Sequence, residues 1–295
     1  MPVNGDELKA TAETFARELR RKIEREQGGV ATFFNNFLLR TVRELGQLDP
    51  ALPWEESSRR VGGAEGERLR RGLALLRSHL TARGRGRFVP YRERLPAIPE
   101  AAPWPSDIDR ATLAMSQGTD DCLQWRGRPL FKTAFDMSLY PMLIWERKPR
   151  TIVEIGSGSG ASALWLADLL AAFGIDGRVQ SLDIQPPEVE HPRVTFTVGD
   201  CRQIESAFPP DRVADWPHPW LVIEDAHVNV AGVLDHFHAR LQPNDYLIVE
   251  DSLQKRREIG AFMDKYPGAY DVDTRYTDFF GRNATCAVDS IFIRR

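Results

Sequence analysis

The sequence has no long hydrophobic run. No stretch of its 295 residues approaches the roughly 18 consecutive apolar residues that a membrane-spanning helix requires. The first residues, MPVNGDELKATAETF, contain no apolar segment behind a basic flank, so no export signal is expected. We therefore expect a cytoplasmic protein that does not associate with a membrane.

Cysteine is also scarce. The three cysteines, Cys122, Cys201 and Cys286, are far apart and none belongs to a C-x-x-C pair. This argues against a disulfide framework and against a zinc knuckle, so reduced thiols are predicted.

The chain lacks a recognisable nucleic-acid-binding motif. Arginine pairs such as Arg59-Arg60 and Arg70-Arg71 are interleaved with glutamates, which is typical of a solvated helix face, and no nucleic-acid partner is expected. Residues 1–100 carry more basic than acidic side chains, whereas the remainder is net acidic, so the two parts could attract each other.

The first hundred residues do contain apolar side chains at helical spacing. Three amphipathic helices are predicted, over residues 6–26, from Phe33 to Leu45 and from Leu69 to Leu80. Their apolar faces need a partner, which could be one another, the rest of the chain or a second subunit. Prolines recur from Pro90 to Pro105, which predicts a linker. We expect residues 1–100 to be a helical extension, acting as a cap or an oligomerisation element of a homo-oligomer, and residues 101–295 to be the main domain.

From residue 151 onwards, strands and helices alternate. A helix over residues 124–148 is predicted to lead into five parallel strands, and two β-rich stretches end the chain as an antiparallel pair. The predicted strands are Thr151–Ile155, Arg178–Asp183, Arg193–Val198, Trp220–Glu224, Tyr246–Val249, Ala269–Arg275 and Val288–Ile293. The fold class is therefore α/β, with a doubly wound, Rossmann-like sheet.

A glycine-rich turn joins the first of these strands to a helix that begins near Ala161. In the segment TIVEIGSGSGAS, the glycines Gly156, Gly158 and Gly160 can adopt backbone angles closed to other residues, and the following helix directs free N–H groups at a ligand. Such turns also occur as packing devices, so the motif alone is a weak signal.

Acidic residues follow the later strands. They are Asp183, Asp200, the doublet Glu224-Asp225 and the doublet Glu250-Asp251. Ligands of such sheets bind at the carboxyl ends of the strands, where these side chains should meet, although a single acid there is more often a helix cap. Asp183 could accept both ribose hydroxyls of an adenosine, as in nicotinamide-dependent dehydrogenases. The carboxylates after the last two parallel strands instead favour a cationic sulfonium cofactor.

Residues 124–295 resemble the cephalosporin hydroxylase and rhamnosyl O-methyltransferase (CmcI-like) family of class I S-adenosylmethionine (SAM) methyltransferases. The resemblance lies in the segments QWRGRPLFKTAFDMSLYPMLIW, VEIGSGSGASALWLADLL, VIEDAHVNVAGVL and YLIVEDS. It implies a SAM-dependent enzyme that methylates a hydroxyl of a small molecule, such as a natural product or a sugar, with help from Mg²⁺. A nicotinamide-dependent oxidoreductase and a non-catalytic SAM-binding partner of another enzyme remain alternatives.

The resemblance also assigns residues to the site. It places around the cofactor Glu154, Gly156, Ser157, Gly158, Gly160, Ser162, Asp183, Asp200 and Cys201. It gives Asp225, Glu250 and Asp251 as ligands of the divalent cation, a set of hard oxygen donors that suits Mg²⁺. Because Glu224 directly precedes Asp225, either residue of this pair could be the ligand. Cys201 is equally well explained as a small buried hydrophobic residue.

Asp225 and His227 are the predicted catalytic residues. His227 lies two residues beyond Asp225, so it could take the proton of the acceptor hydroxyl, and a structural histidine is the alternative. His236 and His238 fall in the next helix, where they are expected to be surface or packing residues.

Ion pairing or core packing is a simpler explanation for several other polar and aromatic side chains. Lys132 and Asp136 are four residues apart, which indicates an ion pair on a helix surface. The aromatic candidates for an acceptor pocket, which could equally be core residues, are Trp104, Trp125, Tyr276, Phe279 and Phe280.

Overall fold

The protein is described here from a computed structural model, which covers residues 5–25, 30–49, 51–82, 86–94, 105–117, 123–185 and 187–295. The helices are α1 Gly5–Arg25, α2 Val30–Leu45, α3 Trp54–Arg60, α4 Gly63–Ala82, α5 Tyr91–Arg94, α6 Arg110–Met115, α7 Asp136–Arg147, α8 Ala161–Ala172, α9 Ile204–Ala207, α10 Pro210–Ala214, α11 Val230–His238, α12 Arg256–Lys265 and α13 Thr274–Thr277. The strands are β1 Phe88–Pro90, β2 Gln124–Trp125, β3 Arg128–Pro129, β4 Thr151–Ile155, β5 Arg178–Asp183, β6 Val194–Val198, β7 Trp220–Glu224, β8 Tyr246–Val249, β9 Tyr270–Asp273 and β10 Ile291–Arg294.

Eight strands form one sheet in the order β1-β9-β10-β8-β7-β4-β5-β6. The five strands from β8 to β6 are parallel, and β10, β9 and β1 continue the sheet in antiparallel pairs. Strands β4, β7 and β8 are buried along their whole length because hydrophobic clusters cover both faces of the sheet. The predicted doubly wound fold with an antiparallel ending is confirmed.

Strand β1 was not predicted. It pairs with β9 at the edge of the sheet, where Pro90 is tolerated as the last residue. On either side, Arg87 forms an ion pair with Asp273 at 2.7 Å, and Arg94 binds Asp278 at 2.7 Å. Residues 86–94 therefore belong with the sheet, although Pro90 was predicted to begin a linker. Both ion pairs also link an arginine of the net basic residues 1–100 to an aspartate of the net acidic remainder of the chain.

The helical extension has a core of its own. Side chains of α1, α2, α3 and α4 form this cluster: Ala16, Leu19, Val42, Leu45, Trp54, Leu69, Leu73 and Leu76. The three predicted helices are present and α3 is additional, while the side chains of Phe33 and Leu80 lie outside the described residues. Within the described part of the chain, no helix combines the length and apolarity needed to cross a bilayer.

The helix predicted over residues 124–148 is wrong in its first half. Arg126 and Gly127 have φ of 51° and 74°, a left-handed pair that turns β2 into β3. Asp168 fixes this hairpin, since it accepts hydrogen bonds from Trp125 Nε1 at 2.7 Å and from the Arg126 guanidinium. Helix α7 begins only at Asp136, so the segment between hairpin and helix is free to cross the carboxyl end of the sheet.

Candidate active site

A cavity of about 480 Å³ lies at the carboxyl ends of the parallel strands. This volume is in the range of small-molecule sites. The predicted residues that line it are Gly156, Ser157, Gly158, Ser162, Asp183, Asp200, Cys201, Asp225, His227, Glu250 and Asp251. Glu154 and Gly160 do not line it.

The three glycines of the turn have different roles. A Cβ atom at Gly156 would lie 2.8 Å from the carbonyl oxygen of Asp225, and one at Gly160 would lie 2.8 Å from the side chain of Pro187, so both positions are needed for close packing. A Cβ atom at Gly158 would meet nothing within 4 Å. Gly158 is therefore the glycine over which a ligand can lie.

Asp183 closes the turn from the side of β5. One carboxylate oxygen accepts the N–H of Gly158 at 2.9 Å, and the other accepts the N–H of Gln185 at 3.0 Å. Each oxygen keeps a lone pair for a ligand, because a carboxylate oxygen can accept two hydrogen bonds. Asp183 can thus accept hydroxyl donors inside the cavity.

Glu154 supports the turn from below. Its carboxylate is buried and accepts a hydrogen bond from Ser181 at 2.6 Å. Burial raises the pKa of Glu154, although hydrogen bonds from Ser162 and Ser181 act against that rise. Glu154 therefore positions the turn and does not itself face the cavity.

Asp200 and Cys201 form the far wall, beyond β6. Asp200 caps the following turn by accepting the N–H of Arg202 at 2.8 Å. Cys201 is buried, and burial raises the pKa of its thiol, so it lines the cavity as a neutral, weakly polar group. Cys201 and Cys286, the cysteines that the structure describes, are both free thiols.

Glu224 and Asp225 point in opposite directions. Glu224 is fully buried, where it accepts the ammonium of Lys255 at 2.7 Å and the N–H of Ala226 at 3.1 Å. Asp225 faces the cavity. The structure thus places Asp225, and not Glu224, at the site.

Lys132 lies inside the acidic cluster. Its ammonium group binds Asp225 Oδ2 at 2.9 Å and also binds Glu250, which receives a second hydrogen bond from Tyr140. Burial alone would lower the pKa of Lys132, but the two carboxylates hold it well above its ordinary value. Burial raises the pKa of Asp225, but the charge of Lys132 and a hydrogen bond with Glu250 together lower the pKa below its ordinary value.

On the open side of the cluster, ligand atoms of Asp225, His227 and Asp251 lie within 4.8 Å of one another. His227 Nε2 is 3.6 Å from Asp225 Oδ1 and 3.5 Å from Asp251 Oδ2. His227 and Asp251 have φ of 59° and 47°, a region that side chains other than glycine rarely adopt. Such conformations cluster at functional sites.

The helix-surface reading of Lys132 and Asp136 is wrong. Both are buried, and Asp136 accepts hydrogen bonds from Thr133 and Thr285 instead. A signal was available in the sequence, because a lysine inside the apolar run PLFKTAF requires an anionic partner and the strand-end acids require a cation.

The predicted aromatic residues do not form the cavity wall. Trp125 binds Asp168, Tyr276 is buried against Glu146, and Phe280 contacts Phe135. Phe279 is partly buried against the core, and Trp104 lies outside the described residues. His236 is buried and His238 stacks on Tyr266, so the packing prediction for both is confirmed.

The aromatic residue at the cavity is Phe131, which is 71% exposed. It lies at the apex of a tight turn closed by the N–H of Lys132 and the carbonyl of Leu130 at 3.0 Å. Both neighbours are buried, so the ring is held at the rim.

Comparison with known proteins agrees with the fold. A family model described as Rhamnosyl O-methyltransferase/CmcI matches residues 118–273, more than half of the chain. A rhamnosyl O-methyltransferase from Mycobacterium leprae (strain TN) is 28% identical over 192 residues, which cover 58% of this chain and 82% of that protein.

Two solved structures of CmcI share the fold. The apo structure has a TM-score of 0.52 at 23% identity and covers 68% of this chain and 89% of its own. The structure with Mg and SAM has a TM-score of 0.52 at 22% identity and covers 74% of this chain and 95% of its own.

These matches do not favour the nicotinamide-dependent oxidoreductase, and they confirm the prediction of a SAM-dependent O-methyltransferase. The chain belongs to the Rhamnosyl O-methyltransferase/CmcI family.

Proposed function

We propose that this chain transfers the methyl group of SAM to a hydroxyl of a sugar or another polyoxygenated natural product, and that Mg²⁺ assists the transfer. The observation that carries the proposal is the single cavity in which the glycine turn, Asp183 and the acidic strand ends meet. Bound SAM would supply the electrophilic methyl group.

The proposed cofactor site runs from α8 to β6. Ser162, at the N-terminus of α8 where free N–H groups favour an anion, would hold the carboxylate of the cofactor. Asp183 would accept the ribose hydroxyls beside Gly158, and Asp200 and Cys201 would flank the adenine.

The donors on the open side of the cluster fit a magnesium ion. Asp225 and Asp251 offer hard carboxylate oxygens that face a cavity with room for water and an acceptor. Bound Mg²⁺ would polarise the acceptor oxygen and favour loss of its proton. Glu250 lines the same cavity and is proposed as the third ligand.

His227 is proposed to take that proton. Its Nε2 atom faces the open side of the cluster, beside the carboxylates of Asp225 and Asp251, where an acceptor hydroxyl would lie. A nitrogen bound to a metal has no lone pair for a proton, so the roles of base and ligand exclude each other. A His227→Gln variant that still binds Mg²⁺ but methylates slowly would support the role of base.

Calorimetric titration tests the proposal. Wild-type protein, Asp225→Ala and the control Asp176→Ala, which removes an exposed acid of the α8–β5 loop, are titrated with S-adenosylhomocysteine and then with MgCl₂. We expect wild type and control to bind both, and Asp225→Ala to keep S-adenosylhomocysteine but lose Mg²⁺. Binding of NADH without binding of S-adenosylhomocysteine would contradict the proposal.

Methylation assays separate an enzyme from a non-catalytic partner. The proposal expects S-adenosylhomocysteine to form when the protein is incubated with SAM, MgCl₂ and a rhamnoside or a catechol. A cytoplasmic location and a homo-oligomer built on the helical extension remain proposals, which cell fractionation and the mass of the protein in solution would test.

A further inference from the structure

Arg128, on strand β3 of the hairpin, is bound to two loops of the sheet domain. Its guanidinium donates to the carbonyl oxygen of Ser159, in the glycine turn, at 3.2 Å, and to the carbonyl oxygen of Glu188, in the β5–β6 loop. A guanidinium suits this arrangement, because its N–H donors form a rigid planar fork that can reach two acceptors at once. One side chain therefore joins three segments from different parts of the chain.

These three segments meet at one end of the cavity. The hydroxyl of Ser159 donates to the carbonyl oxygen of Pro129 at 2.6 Å, and both residues line the cavity. The β5–β6 loop lies so close to the turn that a Cβ atom at Gly160 would be 2.8 Å from the side chain of Pro187. Arg128 does not line the cavity, so it lies behind the wall that Pro129 and Ser159 form.

The charge of Arg128 is not matched by a bound acid. Among the residues that the structure describes, its partners are the two carbonyl oxygens, whereas Arg126 on the same hairpin forms an ion pair with Asp168 at 2.6 Å. The guanidinium of Arg128 binds Ser159, two residues before helix α8 begins at Ala161. The N-terminus of a helix also carries partial positive charge, so the helix and the arginine favour an anion at the same place.

We propose that Arg128 is a positioning residue for the methionine end of the cofactor. It holds β3 against the glycine turn, which keeps the wall at this end of the cavity closed, and its charge favours the cofactor carboxylate beside Ser162. The inference rests on the proposed function, because that proposal assigns the carboxylate to Ser162.

Arg128→Met tests the inference by calorimetric titration with two analogues of the cofactor. S-adenosylhomocysteine carries the amino-acid carboxylate, whereas 5′-methylthioadenosine has the same adenosine part and no carboxylate. We expect Kd for S-adenosylhomocysteine to rise about tenfold, as is typical when hydrogen bonds of a charged group are lost. Kd for 5′-methylthioadenosine should stay within about twofold, because its ribose would lie on Asp183, away from Arg128.

Arg126→Met is the matched control. It removes a second bound arginine from the same hairpin, but one that binds Asp168 and not the glycine turn. Both Kd values should stay within about twofold of wild type, since Trp125 still holds the hairpin to Asp168.

Arg128→Lys keeps the charge but cannot reach both carbonyl oxygens, so Kd for S-adenosylhomocysteine should rise by only about threefold. This variant decides the question if Arg128→Met does not fold.

The results separate a positioning role from a general structural one. Equal rises in Kd for the two analogues in Arg128→Met, or the same rise for S-adenosylhomocysteine in Arg126→Met, would overturn the inference and leave Arg128 a structural residue. An unchanged Kd for S-adenosylhomocysteine in Arg128→Met and Arg128→Lys would also overturn it, with the proposed function intact. Failure of the wild type to bind S-adenosylhomocysteine would overturn the inference together with the proposed function.

Discussion

Two buried lysines bind glutamates at neighbouring strand ends, and they differ in what lies beyond the pair. Glu224, the last residue of β7, and its partner Lys255 are buried, and a backbone N–H donates to the second oxygen of Glu224. Glu250, which directly follows β8, and its partner Lys132 line the cavity, and Lys132 has Asp225 as a second partner.

The comparison explains the two Glu-Asp doublets. In each doublet the glutamate binds a buried lysine and the aspartate that follows it lines the cavity, to which Glu250 also contributes. The same sequence pattern thus provides a buried ion pair and a site carboxylate at adjacent positions.

The largest expected effect is a difference in methylation rate between variants of the two members of the Glu224-Asp225 doublet. Asp225→Asn should lower the rate of methyl transfer by at least about 10²-fold, because the carboxylate that faces the acceptor is lost. Glu224→Gln should lower stability and leave the rate of the folded enzyme nearly unchanged. Formation of S-adenosylhomocysteine measures the rate, and equal losses of rate in both variants would contradict the separation of roles.

Lys255→Met should destabilise the fold by about 3–5 kcal/mol, because it leaves Glu224 buried without its partner. The double variant Lys255→Met/Glu224→Gln should recover most of this loss. Urea denaturation gives the free energy of unfolding. If the double variant is no more stable than Lys255→Met, the unpaired charge of Glu224 is not the cause of the lost stability.

Tyr140→Phe removes the hydroxyl that donates to Glu250 and leaves the ring of the side chain unchanged. We expect a loss of about 1–3 kcal/mol in the free energy of unfolding, because Glu250 keeps a buried oxygen without a partner. Binding of S-adenosylhomocysteine should be unchanged. An unaffected free energy of unfolding would mean that the hydrogen bond contributes nothing to the cluster.

Phe131→Ala should have the smallest effect on the fold, within about 0.5 kcal/mol, because the ring is exposed. If the ring covers an acceptor beside Lys132, KM for a rhamnoside should rise by about threefold to tenfold, as expected for loss of one aromatic contact. Trp145→Ala, an exposed tryptophan of α7 away from the cavity, is the control and should leave KM unchanged.

The sequence alone was sufficient to predict the buried strands and the acidic residues at their ends. The runs TIVEI and WLVIE are apolar because both faces of β4 and β7 are covered, so composition alone reveals them. Parallel strands bring their carboxyl ends to one edge, and the meeting of Asp183, Asp225 and Asp251 follows from that topology.

Features that depend on distant contacts could not be predicted. Strand β1 has three residues, and its partner β9 lies more than 180 residues further along the chain. The hairpin at Arg126 and Gly127 was also missed, because the apolar spacing after residue 124 fits a helix equally well. Without the hairpin, the sequence indicates that Lys132 needs an anionic partner but not which carboxylates it reaches.

The most direct test is a crystal structure of the protein grown with S-adenosylhomocysteine and MgCl₂. The account predicts that the ribose lies over Gly158 with its hydroxyls on Asp183, and that an ion binds at Asp225 and Asp251. An ion bound elsewhere, or a cofactor bound away from the glycine turn, would contradict it.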